Sequence, residues 1–269
     1  MPVPRHTVVV LLAILCVSSV RAQTAADHVL HDVGFDQHLG EPVPLDLGFR
    51  DESGQAVQLS QYFGSKPVIL ALVYYECPML CTLTLNGLVS ALKVLSFDAG
   101  KEFEVLAVSF NPNESPALAA AKKATYLQQY KRPGAAQGWH FLTGEEGAIE
   151  RLTQAVGFRY VYDPAQQQYA HAAGIVVLTP EGRIARYFFG VEFSPKDVRL
   201  GLIEASANKI GTPVDQLLLY CFHYDPSTGK YGAVVMNIVR AAGVLTVFVL
   251  GTFMTVMFLR DRAKHQARA

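Results

Sequence analysis

The sequence predicts an α/β domain, a mixed central sheet with helices on both faces, followed by a C-terminal transmembrane helix. Three observations carry this expectation. Apolar strand-like runs alternate with helix-periodic segments through the middle of the chain, the order that joins parallel strands through helices. Two late runs, 174–178 and 184–189, flank the turn Thr179-Pro180-Glu181-Gly182-Arg183 and so form a hairpin. Finally, residues 241–259 contain no charge, enough apolar helix to cross a bilayer.

Each element follows from local pattern. Leu47 to Leu59 has apolar ends around Asp51-Glu52-Ser53-Gly54, a short hairpin, and Ser60 to Gly64 adds a helical turn before Pro67. Val68 to Tyr75 is an unbroken apolar run, a buried strand. Thr82 to Leu95 places Leu85, Leu88, Val89 and Leu92 on one face of a helix. Glu104 to Phe110 is the next strand, ended by Asn111-Pro112-Asn113. Ser115 caps a helix that opens with Pro116 and runs to about Tyr130. Trp139 to Leu142 reads as a short strand, and Gly144 to Val156 as a helix buried through Ile149, Leu152 and Val156. Ser194-Pro195 opens a last domain helix to about Ile210, with Val198, Leu202 and Ala205 inward.

The chain has 269 residues, with 23 basic and 23 acidic side chains and a formal net charge of +0. That length suits one sizeable domain with accessory segments, and that balance offers no basic surface for nucleic acid. The mean hydropathy of +0.21 is raised by the two ends. Val8 to Val20 is apolar behind Arg5 and His6 and ends in Val20-Arg21-Ala22, the anatomy of a secretory signal peptide. Cys16 follows Ala13-Ile14-Leu15 rather than the small residues that lipidation requires. Arg260, Arg262, Lys264 and Arg268 follow the C-terminal apolar run, so the tail is expected in the cytoplasm. The domain is then expected in the periplasm, held to a bacterial-type inner membrane by a single C-terminal anchor. The expected division is a signal peptide at 1–22, an extended lead-in at 23–44 and the α/β domain at 45–210. A membrane-proximal connector at 211–233, a transmembrane helix at 234–260 and a basic tail at 261–269 complete it. His28, His31 and His38 fall in the lead-in without a fixed spacing, which reads as a solvated segment.

Signal removal leaves Cys77, Cys81 and Cys221, an odd and sparse set that is no disulfide framework. Cys77 and Cys81 stand four apart where the apolar strand meets the next helix. A helix N-terminus carries partial positive charge and free N–H groups, which favour the thiolate. A structural disulfide across so small a loop would add little stability. Thiol–disulfide exchange and metal binding both use such a pair. Two soft thiolates suit Cu(I), whereas zinc takes four ligands, for which Glu76, Met79 or His140 are available. Cys221 and His223 share a face if their segment is extended. They form either a metal relay or an incidental part of an interfacial aromatic stretch with Tyr220, Phe222, Tyr224 and Tyr231.

Cys77-Pro78-Met79-Leu80-Cys81 after a buried strand resembles the CPxxC motif of the Sco/SenC family of copper-handling assembly factors for cytochrome oxidase. The resemblance spans about residues 40 to 210. Phe49-Arg50-Asp51-Glu52-Ser53-Gly54 is similar to the family's opening hairpin, and His171, in Tyr169-Ala170-His171-Ala172-Ala173-Gly174, matches its third metal ligand. The resemblance implies a thioredoxin-like fold and copper, as Cu(I) or Cu(II), held by Cys77, Cys81 and His171. It also implies a role in assembling the copper centre of a respiratory oxidase. Partners would be the oxidase copper subunit, a periplasmic copper donor or a thiol reductant. Many relatives carry an acidic residue where this chain has Met79-Leu80, and Asp-His-Ser where it has Ala170-His171-Ala172. A similar Cys-x-His-Tyr-Asp-Pro stretch occurs in some membrane-tethered relatives. The alternative is a thiol–disulfide oxidoreductase in which Cys77 attacks and Cys81 resolves. A peroxiredoxin-type peroxidase ranks below both, since the Thr and Arg it needs do not stand in place.

Overall fold

The computed structural model describes residues 32–207, 224–225, 230–231 and 233–266. The expected signal peptide, His28, His31, Cys221 and His223 lie outside the described residues. The chain divides into two compact units, Met1–Ile210 and Gly211–Ala269.

In the first unit a five-stranded sheet has the order β10-β9-β4-β5-β6. Its strands are β4 (Val68–Val73), β5 (Glu104–Ser109), β6 (Trp139–Leu142), β9 (Gly174–Leu178) and β10 (Ile184–Phe189). Strands β4, β5 and β6 run parallel, with Val68 opposite Glu104 and Val105 opposite Trp139. The hairpin β9–β10 adds antiparallel to β4. All six residues of β4 are buried, because the sheet is covered on both faces and leaves no solvent side to alternate with. The expected mixed α/β class therefore holds.

The helices follow their sequence signals, except that the last domain helix ends at Ala205, before the expected Ile210. Helix α1 (Leu80–Lys93) buries Cys81, Leu85, Leu88, Val89 and Leu92. Helix α2 (Pro116–Tyr130) starts where the Ser115 hydroxyl accepts from the Leu118 N–H, a cap worth about 1 kcal/mol. After the single turn α3 (Ala135–Gly138) and β6 come α4 (Glu146–Ala155) and, after the late hairpin, α5 (Pro195–Ala205). Ser194 caps α5 by accepting from the Asp197 N–H. Helix α1 packs so closely on the chain before α5 that a Cβ on Gly87 would stand 1.8 Å from the Val191 carbonyl oxygen.

A second, three-stranded sheet was not anticipated from the pattern. It is β1 (Gly34–Phe35), β7 (Phe158–Asp163) and β8 (Gln168–His171) in the order β1-β7-β8. Strands β7 and β8 form a hairpin that pairs Tyr160 with His171 and Tyr162 with Tyr169. The early hairpin is β2 (Gly48–Arg50) with β3 (Ala56–Gln58), as expected. Residues 32–44 are tied down rather than solvated. Phe35 pairs with Phe158, and His38 is half-buried, its backbone N–H donating to the Tyr187 hydroxyl and its Nδ1 3.0 Å from the Ala155 carbonyl. That pairing requires Gly157, with φ of +62° and the Asp36 carbonyl where a Cβ would sit.

The second unit holds a two-stranded antiparallel ladder, β11 (Tyr224–Asp225) with β12 (Lys230–Tyr231); residues 226–229, where a turn is expected, lie outside the described residues. Helix α6 (Ala233–Gln266) follows. Its window Arg240–Met257 has a mean hydropathy of 1.7 and is long and apolar enough to cross a membrane.

Candidate metal centre

The thiols sit where the central strand β4 runs out of the sheet. Tyr74 follows the last strand residue, the chain turns at Tyr75 and Glu76 where the Cys77 N–H donates to the Tyr74 carbonyl, and α1 begins at Leu80. Cys81 lies in the first helical turn, and Cys77 in the loop just before it. The Cys81 N–H donates to the Cys77 sulfur at 3.3 Å, and the Tyr74 N–H donates to the Cys81 sulfur at 3.3 Å. Both thiols are free and buried.

His171 closes the site from the far side. It ends β8, is 8 % exposed, and brings Nε2 to 3.2 Å from the Cys81 sulfur. The three ligand atoms of Cys77, Cys81 and His171 lie within 4.8 Å of one another. Nδ1 lies 2.9 Å from the Ala172 carbonyl oxygen, an acceptor for its N–H, and this contact turns Nε2 toward the sulfurs. A backbone carbonyl thus orients the imidazole here, between the two alanines that flank it. Rings wall the histidine in: Phe110 at 5.2 Å, Tyr74 at 5.8 Å and Phe158 at 6.3 Å between centroids.

The two thiols are unequal. Hydrogen bonding from Cys81 first, then from His171 and the Cys81 and Met79 N–H groups, outweighs burial and holds the Cys77 pKa down to about 3. Burial first, then the neighbouring Cys77 sulfur, pushes the Cys81 thiol well above its ordinary value. The resting pair is therefore one thiolate on Cys77 beside one protonated Cys81. Sharing a proton is the cheaper arrangement, because two adjacent anions in a dry site repel.

One residue that sequence reasoning missed holds the loop from beneath. Glu114, 8 % exposed, accepts from the Tyr75 N–H and Glu76 N–H at 2.8 Å each and from the Ser109 hydroxyl at 2.6 Å. Those two amides immediately precede Cys77, so a carboxylate from the segment before α2 fixes the approach of the Cys loop. Nothing in Asn111-Pro112-Asn113-Glu114 marks it locally, since its role depends on a strand nearly forty residues earlier. The alternative ligands do not converge with the thiols. Glu76 and Met79 are exposed, and His140 binds Glu104 at 3.2 Å, with Lys66 on the same carboxylate.

A central sheet with two thiols after its middle strand, met by a histidine from a separate hairpin, defines a thioredoxin-like protein with a two-sulfur, one-imidazole centre. The chain belongs to the SCO1/SenC family, whose profile matches residues 40–202. Two proteins of Aquifex aeolicus VF5, named for electron transfer and electron transport, share this fold. The first is 27% identical with a TM-score of 0.55, over 64% of this chain and 96% of its own. The second is 26% identical with a TM-score of 0.52, over 63% and 99%. Bradyrhizobium japonicum ScoI, solved with copper bound, is 22% identical with a TM-score of 0.46, over 63% and 96%. No curated protein sequence matches the chain.

Proposed function

We propose that this chain is a membrane-tethered copper metallochaperone that binds copper through Cys77, Cys81 and His171 and supports assembly of the copper centre of a respiratory cytochrome c oxidase. The observation that carries this reading is the convergence of two buried sulfurs and one imidazole nitrogen within 4.8 Å. The donor set fits copper. Two thiolates suit Cu(I), and the imidazole makes a three-coordinate site that also accepts Cu(II). Zinc in a structural site takes four protein ligands, and only three His, Cys or carboxylate ligand atoms are grouped among the described residues. Copper here is cargo, and a three-ligand site leaves a side open for its release.

The protein's own groups prepare each step. The Cys77 thiolate meets the incoming ion, Cys81 gives up its proton as the ion arrives, and the Ala172 carbonyl keeps Nε2 turned inward. The tether follows from α6: the span Arg240–Met257 would hold the domain on the membrane of its partner and raise their effective concentration. We place the signal peptide at 1–22, the domain at 45–210 in the periplasm, the connector at 211–233, the span at 234–260 and the tail at 261–269 in the cytoplasm. Protease treatment of spheroplasts tests this: the domain should be digested and the tail protected.

Titration of the reduced full chain with Cu(I) or Cu(II) tests the metal reading. One ion per chain with a thiolate-to-Cu(II) charge-transfer band is expected, and absence of both would refute it.

The inequality of the thiols favours a second reading, thiol–disulfide oxidoreductase. Cys77 attacks a partner disulfide, one partner sulfur leaves as thiolate, and a mixed disulfide forms. Cys81 then loses its proton, attacks the Cys77 sulfur and releases the second partner thiol. Two electrons pass to the partner, and Cys77–Cys81 ends oxidised. Copper binding that survives His171→Ala unchanged would put this reading ahead.

A further inference from the structure

A groove of about 1260 Å³ opens beside the Cys loop, with Tyr74, Glu76 and Pro78 at that end. Its floor is built by two periodicities. Strand β7 alternates Phe158, Tyr160 and Tyr162 onto the groove side, and α4 turns Glu146, Ile149, Glu150 and Thr153 toward it at helical spacing. Ring contacts run without a break from its outer end to the metal centre. Tyr162 meets Tyr169 at 5.0 Å, Tyr169 meets Tyr74 at 5.5 Å, and Tyr74 meets the His171 imidazole at 5.8 Å. Tyr162 is 49% exposed, too much for a core aromatic. Glu76, Glu146 and Glu150 are exposed carboxylates along the same groove, and its lining cation, Arg159, is paired with Asp36 at 2.9 Å.

We propose that this groove docks an extended, net-positive polypeptide segment of a partner and delivers a thiol of that segment to Cys77. The volume exceeds the usual range for a small molecule, about 300–1,000 Å³. Exposed tyrosines are what protein interfaces enrich, because they bury a large rigid area at low entropic cost. The carboxylates decide the sign of the partner, since a positive segment gains both encounter rate and orientation from them. The end at Pro78 decides what the segment carries, because copper and disulfide exchange both require a sulfur brought to Cys77. The proposal deepens the function above by naming the partner segment, and it rests on that reading for what is passed along.

The test uses full chain in a zwitterionic detergent with Cys221→Ala, so that the described pair supplies the reacting thiol. The probe is a short synthetic peptide with one cysteine flanked by lysines, activated as its mixed disulfide with thionitrobenzoate, and a counterpart with glutamates for lysines. Cys77 thiolate attacks the peptide sulfur, the Cys77–peptide disulfide forms, and coloured thionitrobenzoate leaves. At low salt the lysine peptide should react about tenfold faster or more, with the ratio shrinking as salt rises. Glu146→Gln with Glu150→Gln should reduce the ratio several-fold, and Tyr162→Ala should slow both peptides. An unchanged ratio in the charge variants would overturn the proposal, since the thiolate alone would then account for the preference. Copper titration of the same samples separates the two readings. Equal rates for the two peptides in the Cys221→Ala protein with its groove carboxylates intact, alongside intact copper binding, sink the groove, and absent copper binding with intact discrimination sinks the metal reading.

Discussion

The Nε2 of His171 lies 3.2 Å from the Sγ of Cys81, across ninety residues of chain. One thiol is fixed by the start of a helix and the imidazole by the end of a separate hairpin. The centre therefore exists only when both elements dock on the same end of the sheet.

His171→Ala removes the imidazole without touching either sulfur. Copper affinity, measured by competition with a chelator, should fall by more than the roughly tenfold to hundredfold that loss of a group merely orienting a ligand costs. Exchange with a model disulfide should persist, because Cys77 keeps the Cys81 N–H and the helix N-terminus.

The thiols predict a particular pH response. Cys77 has a folded pKa of about 3 against 9.0 for the free thiol, so between those values the unfolded state binds one proton more. Its contribution to stability is complete above about pH 9 and is lost as pH falls through about 3. Alkylation of the reduced protein should therefore stay fast on Cys77 at about pH 5, where an ordinary thiol is almost unreactive, while Cys81 remains slow. Peptide mapping of the alkylated sites, with Cys77→Ser as control, reads this directly. Equal slowing of both cysteines at that pH would contradict the assignment.

Glu114→Gln keeps the shape of the side chain but offers one acceptor oxygen where two N–H groups need partners. It should cost about 1–3 kcal/mol in stability. Faster hydrogen exchange at the Tyr75 and Glu76 amides, with a shifted Cu(II) charge-transfer band, is the signature of a moved Cys loop. Equal destabilisation by Leu202→Ala in the buried face of α5 should leave that band in place.

Gly87→Ala forces a methyl group against the Val191 carbonyl, which is backbone and cannot rotate away. Overpacking of this kind costs about 1–3 kcal/mol, to be read as a lower Tm. Because Gly87 is in the helix that carries Cys81, the variant should also weaken copper binding.

Cys221→Ala tests whether Cys221 and His223 form a metal relay, the first of the two readings that their spacing allows. Copper binding at equilibrium should be unchanged while transfer to an acceptor slows. Transfer at the parental rate would remove the relay.

Several of these expectations came from local pattern alone. The apolar run ending at Tyr75, the periodic face of α1, the serine caps of α2 and α5 and the turn at Thr179 to Arg183 are set by near neighbours. The apolar stretch of α6 is likewise set by composition. The hairpin β7–β8 escaped, although Phe158, Tyr160 and Tyr162 alternate before an Asp163-Pro164 turn. Its strands are half-exposed and lack the continuous apolar character that marks the central sheet.

Residue order by itself determined the class of fold, the thiol pair at a helix start and the apolar C-terminal helix, because each depends on spacing within one segment. Only the tertiary structure decided that an imidazole ninety residues away faces those thiols, that Cys77 rather than Cys81 carries the charge, and that Glu114 holds the loop. Those three depend on distances between separate elements and on the water excluded when they pack, and neither quantity is local to a segment.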